Sequence, residues 1–549
     1  MTLVVMIYPS LASGQDQYSD HMQLAQKIDL LGKKYPGLCT VRSLAKTAGG
    51  KDIWLLSIGT GDRDSKPAIA IIGGVEGNYL LGRELALGIA DNILKTAGSG
   101  ETKDLLDKIT FYVMPDVNPD ATGQFFESVK YERKVNTRSA DDDRDFIVNE
   151  DPYEDMNKDG YISLVRIQDP AGTFIESEED KRVMVQADLS KGQSGGYLVF
   201  SEGIDNDKDE KWNEDGEGGV NFNRNFTYNY EEFGTGAGLH AVSEPETKAV
   251  SDFLFDRFNI YAVFSFGPQD NLGQPMKAQE QTGRQGADQP AQQPSGPMPQ
   301  RLRMNRKFTS VLKTDEVINK LVSDKYHEIT GAKGFPAPQI APGNFMEWAY
   351  FHYGRYSFST PGWWFPAEKG KNPEAEFLKF AAKHKMNDIF IPWTEVQHPD
   401  FPGHKAETGG LKPFALINPP ADTLGDLVNA HFEFITAVSA MHPELEFLDI
   451  TTENAGENIF RLTLKIHNKG VFATCAEAGE QNIWTRIMRM TLEPGKGQSI
   501  LSGLKVQNIN RLQGDETAEF SWLISGRGQV AVTAGCANTG TVKTNIDLK

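Results

Sequence analysis

Three short stretches of this chain place oxygen-bearing side chains on alternate residues. Residues 141–151 read DDDRDFIVNED and residues 205–215 read DNDKDEKWNED. Both put carboxylates at relative positions 1, 3 and 5: Asp141, Asp143 and Asp145 in the first, Asp205, Asp207 and Asp209 in the second. Asn-Glu-Asp follows at positions 9, 10 and 11 in each. A third stretch, DMNKDGYIS at 155–163, carries Asp155, Asn157 and Asp159 and then Gly160. Oxygen ligands at this spacing, with a tight turn at the sixth residue, are what a loop needs to wrap a calcium ion. The bidentate Glu of an EF-hand is missing; in the third stretch the twelfth position is Arg166. The stretches look instead like short aspartate-rich calcium repeats of extracellular proteins. The alternative is a solvated acidic loop, and one spacing occurring twice in a chain weighs against it. A His-x-x-Glu also occurs, at His404–Glu407. It lies between Gly and Pro residues with no helical pattern, whereas two zinc ligands so spaced must point the same way, so it reads as coincidence.

The elements that position such groups belong to a large folded protein. The chain has 549 residues, 39% hydrophobic and 10% aromatic, which exceeds one domain and excludes a disordered acidic tail. Its 75 acidic against 56 basic residues give a net charge of -19, which repels nucleic-acid phosphates and anionic lipid. Three cysteines exclude a disulfide scaffold and an all-cysteine zinc site. One bridge, Cys475–Cys536, stays open against two buried thiols. Residues 3–12 form an apolar run before Ala12, Ser13 and Gly14, resembling a signal peptide over residues 1–14 without its basic start. Nothing else approaches the ~20 apolar residues of a membrane span. The expectation is a protein that is secreted, periplasmic or on the cell surface, and not integral to the membrane.

Between about residues 18 and 420 helix and strand patterns alternate. Residues 20–34 have helical spacing and stop before Pro36-Gly37. PAIAIIGG (67–74) is a buried strand, LLGRELALGIADNIL (80–94) a helix, and KITFYVMPDVNPD (108–120) a strand ending in a polar loop. The pattern predicts an α/β domain with a parallel or mixed sheet, whose ligands sit beyond the strand ends. Two segments interrupt it: an acidic insert at 139–217, and a Gln-, Pro- and Gly-rich loop at 273–300 with too few apolar groups to pack. A helix at 424–440 links to short alternating runs over 443–549, which predict a separate β-sandwich.

Five post-strand segments carry a family resemblance. GGVEGNYLLGRE (73–84), VNPDA (117–121), VNFNRNF (220–226), GNFMEWAY (343–350) and YSFSTPGW (356–363) occur in order. They resemble the signature loops of zinc metallocarboxypeptidases related to carboxypeptidases A and B, over roughly residues 18–415. The resemblance implies a mixed eight-stranded sheet flanked by helices, with one catalytic zinc at the strand ends. It also implies where the zinc ligands should stand, and those positions have changed. Glu76 occupies the first His position and Tyr79 the Glu position of His-x-x-Glu, and no histidine lies between His21 and His240 to restore it. The third-ligand segment holds Phe264, Ser265 and Phe266. Pro361 stands at the general-base position, and the family's mobile Tyr falls on Gln339. Zinc is therefore expected from the family but lacks its ligands here.

Other positions keep matching chemistry. Asn223 and Arg224 match the family's pair that holds a substrate's C-terminal carboxylate. Arg133, fifteen residues after Asn118, matches the arginine that polarises the scissile carbonyl. The resulting expectation is a catalytically degenerate carboxypeptidase-like protein that binds a peptide C-terminus or a similar carboxylate. The alternatives are an active metallocarboxypeptidase with atypical ligands, and a calcium-stabilised surface or adhesion module.

Overall fold

This computed structural model describes residues 18–141, 146–213, 215–278, 309–368, 370–482 and 484–549. The signal-peptide segment, Asp143, Asp145 and most of the Gln-rich loop lie outside the described residues.

Among the described residues, ten α-helices run in chain order. They are α1 His21–Lys34, α2 Leu81–Thr96, α3 Gly100–Lys108, α4 Pro119–Thr122, α5 Pro245–Asp256, α6 Lys313–Thr330, α7 Phe345–Phe351, α8 Pro373–Lys383, α9 Leu424–Ser439 and α10 Glu477–Glu480. The first starts where its sequence says it should. Asp20 accepts from the Gln23 N–H at 2.7 Å and Gln23 accepts from the Asp20 N–H at 3.0 Å, a reciprocal cap, and Leu24, Ile28 and Leu31 form its buried stripe.

The strands of the main sheet are β1 Cys39–Lys46, β2 Asp52–Ile58, β3 Ala68–Ile72, β4 Thr110–Met114, and, after four strands of the insert, β9 Ile260–Phe266 and β10 Tyr356–Thr360. Their order is β1-β2-β4-β3-β9-β10. The first two pairings are antiparallel and the rest parallel, so the sheet is mixed. Both faces are covered, and the period of two in a strand decides which residue goes where. Ile69 and Ile71 of β3, with Phe111 and Val113 of β4, join residues of α1, α2, α6 and α9. Ala68, Ala70 and Ile72, with Tyr112 and Met114, join Phe253 of α5 and Trp348 of α7.

This sheet has six strands, not the eight implied by family resemblance. The following strands, β11 Phe390–Val396 and β12 Ala406–Leu411, pair elsewhere. The insert supplies β5 Leu164–Gln168, β6 Phe174–Glu176, β7 Met184–Gln186 and β8 Tyr197–Ser201, and a second, antiparallel sheet forms in the order β11-β12-β5-β8-β6-β7. Backbone hydrogen bonds that would extend the main sheet are satisfied by the insert instead.

Helix α9 packs on the α/β domain: Leu424, Phe434, Ile435 and Val438 are buried in the same core as α2. Beyond it come β13 Leu445–Gly456, β14 Ile459–Asn468, β15 Met488–Glu493, β16 Ser499–Ser502, β17 Val506–Ile509, β18 Glu516–Ser525, β19 Gly528–Cys536 and β20 Gly540–Leu548. They form two antiparallel four-stranded sheets, β13-β14-β18-β16 and β17-β15-β19-β20. Between them lies a core of their own, with Leu462, Leu464, Trp522 and Ile524 from one sheet and Met490, Leu492 and Val532 from the other. Cys39, Cys475 and Cys536 are all free thiols, so the open Cys475–Cys536 bridge does not form.

Candidate functional site

The parallel register brings three strand ends level. Ile72 of β3 pairs with Ser265 of β9, and Phe266 pairs with Thr360 of β10. The loops that follow, Gly73–Glu76, Gly267–Gln269 and Pro361, therefore emerge side by side. Close packing there requires glycine: a Cβ on Gly73 would stand 2.2 Å from the Pro115 carbonyl oxygen, and Gly74 has φ +69°.

Glu76, at the first zinc-ligand position, is buried at 6% exposure. One of its carboxylate oxygens accepts from Asn221 Nδ2 at 2.8 Å and the other from Asn223 Nδ2 at 2.9 Å. The second amide proton of Asn223 goes to Gln269 Oε1 at 2.7 Å, and Asn223 Oδ1 accepts the Phe345 N–H at 3.0 Å. Gln269 Nε2 in turn donates to the carbonyl of Gln339 at 3.0 Å, while the Gln339 N–H meets the Pro268 carbonyl. The result is a closed network of amides around one carboxylate. Asn221 and Gln269 are its members that sequence reading missed. Asn221 stands two residues before Asn223 in VNFNRNF, and alternate asparagines in a post-strand loop were the available signal.

The other positions at which the resemblance expects a zinc ligand or the base hold Tyr79, Phe266 and Pro361. Tyr79 is buried, and burial first, then the Glu76 and Glu132 charges, pushes its phenol well up, so it stays protonated. Phe266 turns to the helical layer, edge-on to His431 at 5.9 Å and against Gly82. Pro361 is buried at the base position and offers no acid. A catalytic zinc needs three protein ligands and an open water position. One carboxylate with both oxygens already bonded does not fit that group.

Of the three residues expected to contact a bound peptide, Arg133 and Asn223 are engaged with buried groups of the protein. Arg133 is buried, with Nε donating to the Val135 carbonyl at 3.0 Å and Nη2 to the Asn136 carbonyl at 2.7 Å. Asn223 is committed to Glu76 and Gln269. Arg224 differs: its Nη2 pairs at 2.9 Å with the surface carboxylate of Glu231, its Nε is buried without a hydrogen-bond partner among the described residues, and its side chain is 28% exposed. Beside the network, burial pushes the Asp270 carboxyl up to about 6 even though Oδ1 accepts the N–H groups of Leu272 and Gly273. The His404–Glu407 pair is no metal site, since Glu407 bonds Arg166 and Lys405 while His404 sits 3.4 Å from Asp169.

The profile of the zinc carboxypeptidase family matches residues 24–362, well over half of the chain. The chain belongs to the zinc carboxypeptidase family. Residues 444–547 match a second family, described as a domain of unknown function. Among individual relatives, carboxypeptidase B of Astacus astacus is 28% identical over 122 residues, covering 22% of this chain and 39% of that protein. Carboxypeptidase D of Homo sapiens is 24% identical over 181 residues, 32% of this chain and 12% of that one. The chain thus spans well under half the length of these curated relatives. Among solved structures, carboxypeptidase A from Helicoverpa armigera overlays with a TM-score of 0.42 at 14% identity, covering 78% of this chain and 74% of that one.

The acidic stretches share one contact and one backbone feature at their described ends. The first carboxylate of each accepts the N–H of the sixth residue: Asp141 from Phe146 at 3.0 Å, Asp155 from Gly160 at 2.8 Å and Asp205 from Glu210 at 3.1 Å. Those sixth residues have φ of +80°, +86° and +70°. Among the described residues, Asp205, Asp207 and Asp209 group their ligand atoms within 4.8 Å of one another. No helix among the described residues is long and apolar enough to cross a membrane.

Proposed function

We propose that this family member, exported by its N-terminal apolar run, binds a peptide C-terminus or a similar carboxylate and does not cleave it by a zinc mechanism. The observation that carries the reading is Arg224. A guanidinium at the end of the turn Phe222–Arg224 is paired, among the described residues, only with an exposed carboxylate, Glu231, and keeps a buried Nε–H for a second acceptor. A ligand carboxylate replacing Glu231 would gain a two-pronged, charge-assisted contact. The amide network around Glu76 supports the loss of hydrolysis, because it occupies the carboxylate that a metal would need. We also infer that the acidic insert takes up calcium, which ties its loops together.

Calorimetric titration with one peptide in free-acid and C-terminally amidated forms tests the carboxylate reading. The free acid should bind and the amide should not. Arg224→Ala should weaken binding by about 1.5–3 kcal/mol, the range for hydrogen bonds to a charged group. Equal binding of acid and amide, or stoichiometric zinc with release of C-terminal residues, would overturn it.

A further inference from the structure

The third acidic loop, Asp155–Ser163, lacks an acid at its twelfth position, which is Arg166. The structure places another acid beside it. Glu202 follows β8 and lies next to the start of β5, where its N–H donates to the Ser163 carbonyl at 2.9 Å. Glu202 is 0% exposed. Its Oε2 accepts from the N–H and the hydroxyl of Ser163 at 2.7 and 3.0 Å. Among the described residues, its Oε1 is buried with no hydrogen-bond partner. A buried carboxylate oxygen left bare is costly, and Asp159 and Asp155 are near enough to add their negative charge to its surroundings.

We propose that Asp155, Asn157 and Asp159 form a calcium site whose closing carboxylate is Glu202, supplied from a distant part of the insert in place of the absent twelfth residue. Three carboxylates and an amide oxygen are hard donors suited to calcium. The Asp155, Asp159 and Glu202 carboxylates are not all within 4.8 Å of one another, so binding draws the exposed Asp159 inward toward Glu202. Asn157 also donates to Thr408 of β12 at 3.1 Å, and Tyr161 bridges to Lys130 ahead of the insert. An ion here joins β5, β8, β12 and the chain entering the insert at a single point.

This inference rests on the reading of the insert as calcium-binding, and adds a specific ligand to it. The full-length protein, stripped with chelator, is titrated with calcium chloride and, as a control, magnesium chloride. Wild type should bind calcium and gain melting temperature. Glu202→Gln should bind one equivalent fewer, or bind that equivalent about tenfold more weakly or worse. Asp159→Asn, at an exposed position that leaves the fold alone, gives up one negative charge and should weaken the same equivalent, whereas Asp207→Ala should leave it unchanged. If wild type takes up no calcium, both the reading and this site fail. If wild type binds but Glu202→Gln and Asp159→Asn match it in stoichiometry and affinity, the insert still binds calcium and this site is wrong.

Discussion

Asp270 shows how burial at the strand ends becomes a pH dependence. Its carboxyl rises from 3.8 to about 6 because burial disfavours the charge, and the two backbone N–H groups only partly offset this. The native state therefore holds a proton that the unfolded chain has released between those two values. Stability falls as pH rises from about 4 to 6 and is level in this respect above that, a penalty on the order of 2–3 kcal/mol. Asp270→Asn removes the titration. Its melting temperature relative to wild type should climb from pH 4 to pH 7, and a flat difference across that range would show that Asp270 is not the group responsible. At this scale the sequence was informative about identities and blind to partners. A motif at fixed register put Glu76, Tyr79 and Pro361 where the family resemblance expects the reacting groups. That Asn223 is occupied by Glu76 and Gln269 depends on a contact between residues 147 and 46 positions away in sequence, which no local pattern encodes.

Among the elements, continuous apolar strands such as β3 were legible because burial on both faces leaves no polar position to confuse the period. The second sheet was not. Its strands β6 and β7 have three residues each and are mostly half-buried, so their sequence shows neither alternation nor an apolar run. What holds that sheet is a buried arginine. Arg166 on β5 pairs with Glu407 of β12 at 2.8 Å and Glu176 of β6 at 3.3 Å, and lies over the Trp393 ring of β11 at 4.4 Å. The residue whose presence rules out an EF-hand thus ties β5 to β12, β6 and β11. Replacing it with Met keeps volume but leaves two carboxylates short of a partner, a cost on the order of 2–4 kcal/mol. Hydrogen exchange of Arg166→Met should accelerate over 164–168 and 406–411 while β3 stays protected. Unchanged protection in the insert would mean that backbone pairing alone maintains the sheet.

Across the whole molecule, the switch from α/β to all-β was visible in composition, and residues 444–547 indeed carry a core of their own. How firmly that part is attached was not visible, because the attachment is polar and scattered. Asp315, on α6, is 1% exposed. It accepts from the N–H groups of Glu477 and Ala478 on α10 at 2.9 and 3.1 Å, and from the Tyr350 hydroxyl at 2.8 Å, with Arg511 at 3.4 Å. Arg355, also buried, reaches from the end of α7 to the Trp484 carbonyl and the Thr485 hydroxyl. These bonds join the sandwich side to the helices that cover the main sheet, so unfolding either part should pull on the other. Asp315→Ala deletes the shared acceptor, leaving two backbone donors, a phenol and Arg511 without it. Breaking such a buried charged cluster costs about 3–5 kcal/mol. The effect should fall on coupling more than on either core. Calorimetry of wild type should show the two parts melting together, and Asp315→Ala should separate the trace into two transitions. A fragment of residues 443–549 should then melt near the transition assigned to the sandwich. If Asp315→Ala lowers one cooperative transition without splitting it, the two cores are coupled through their apolar contact and the polar cluster is secondary.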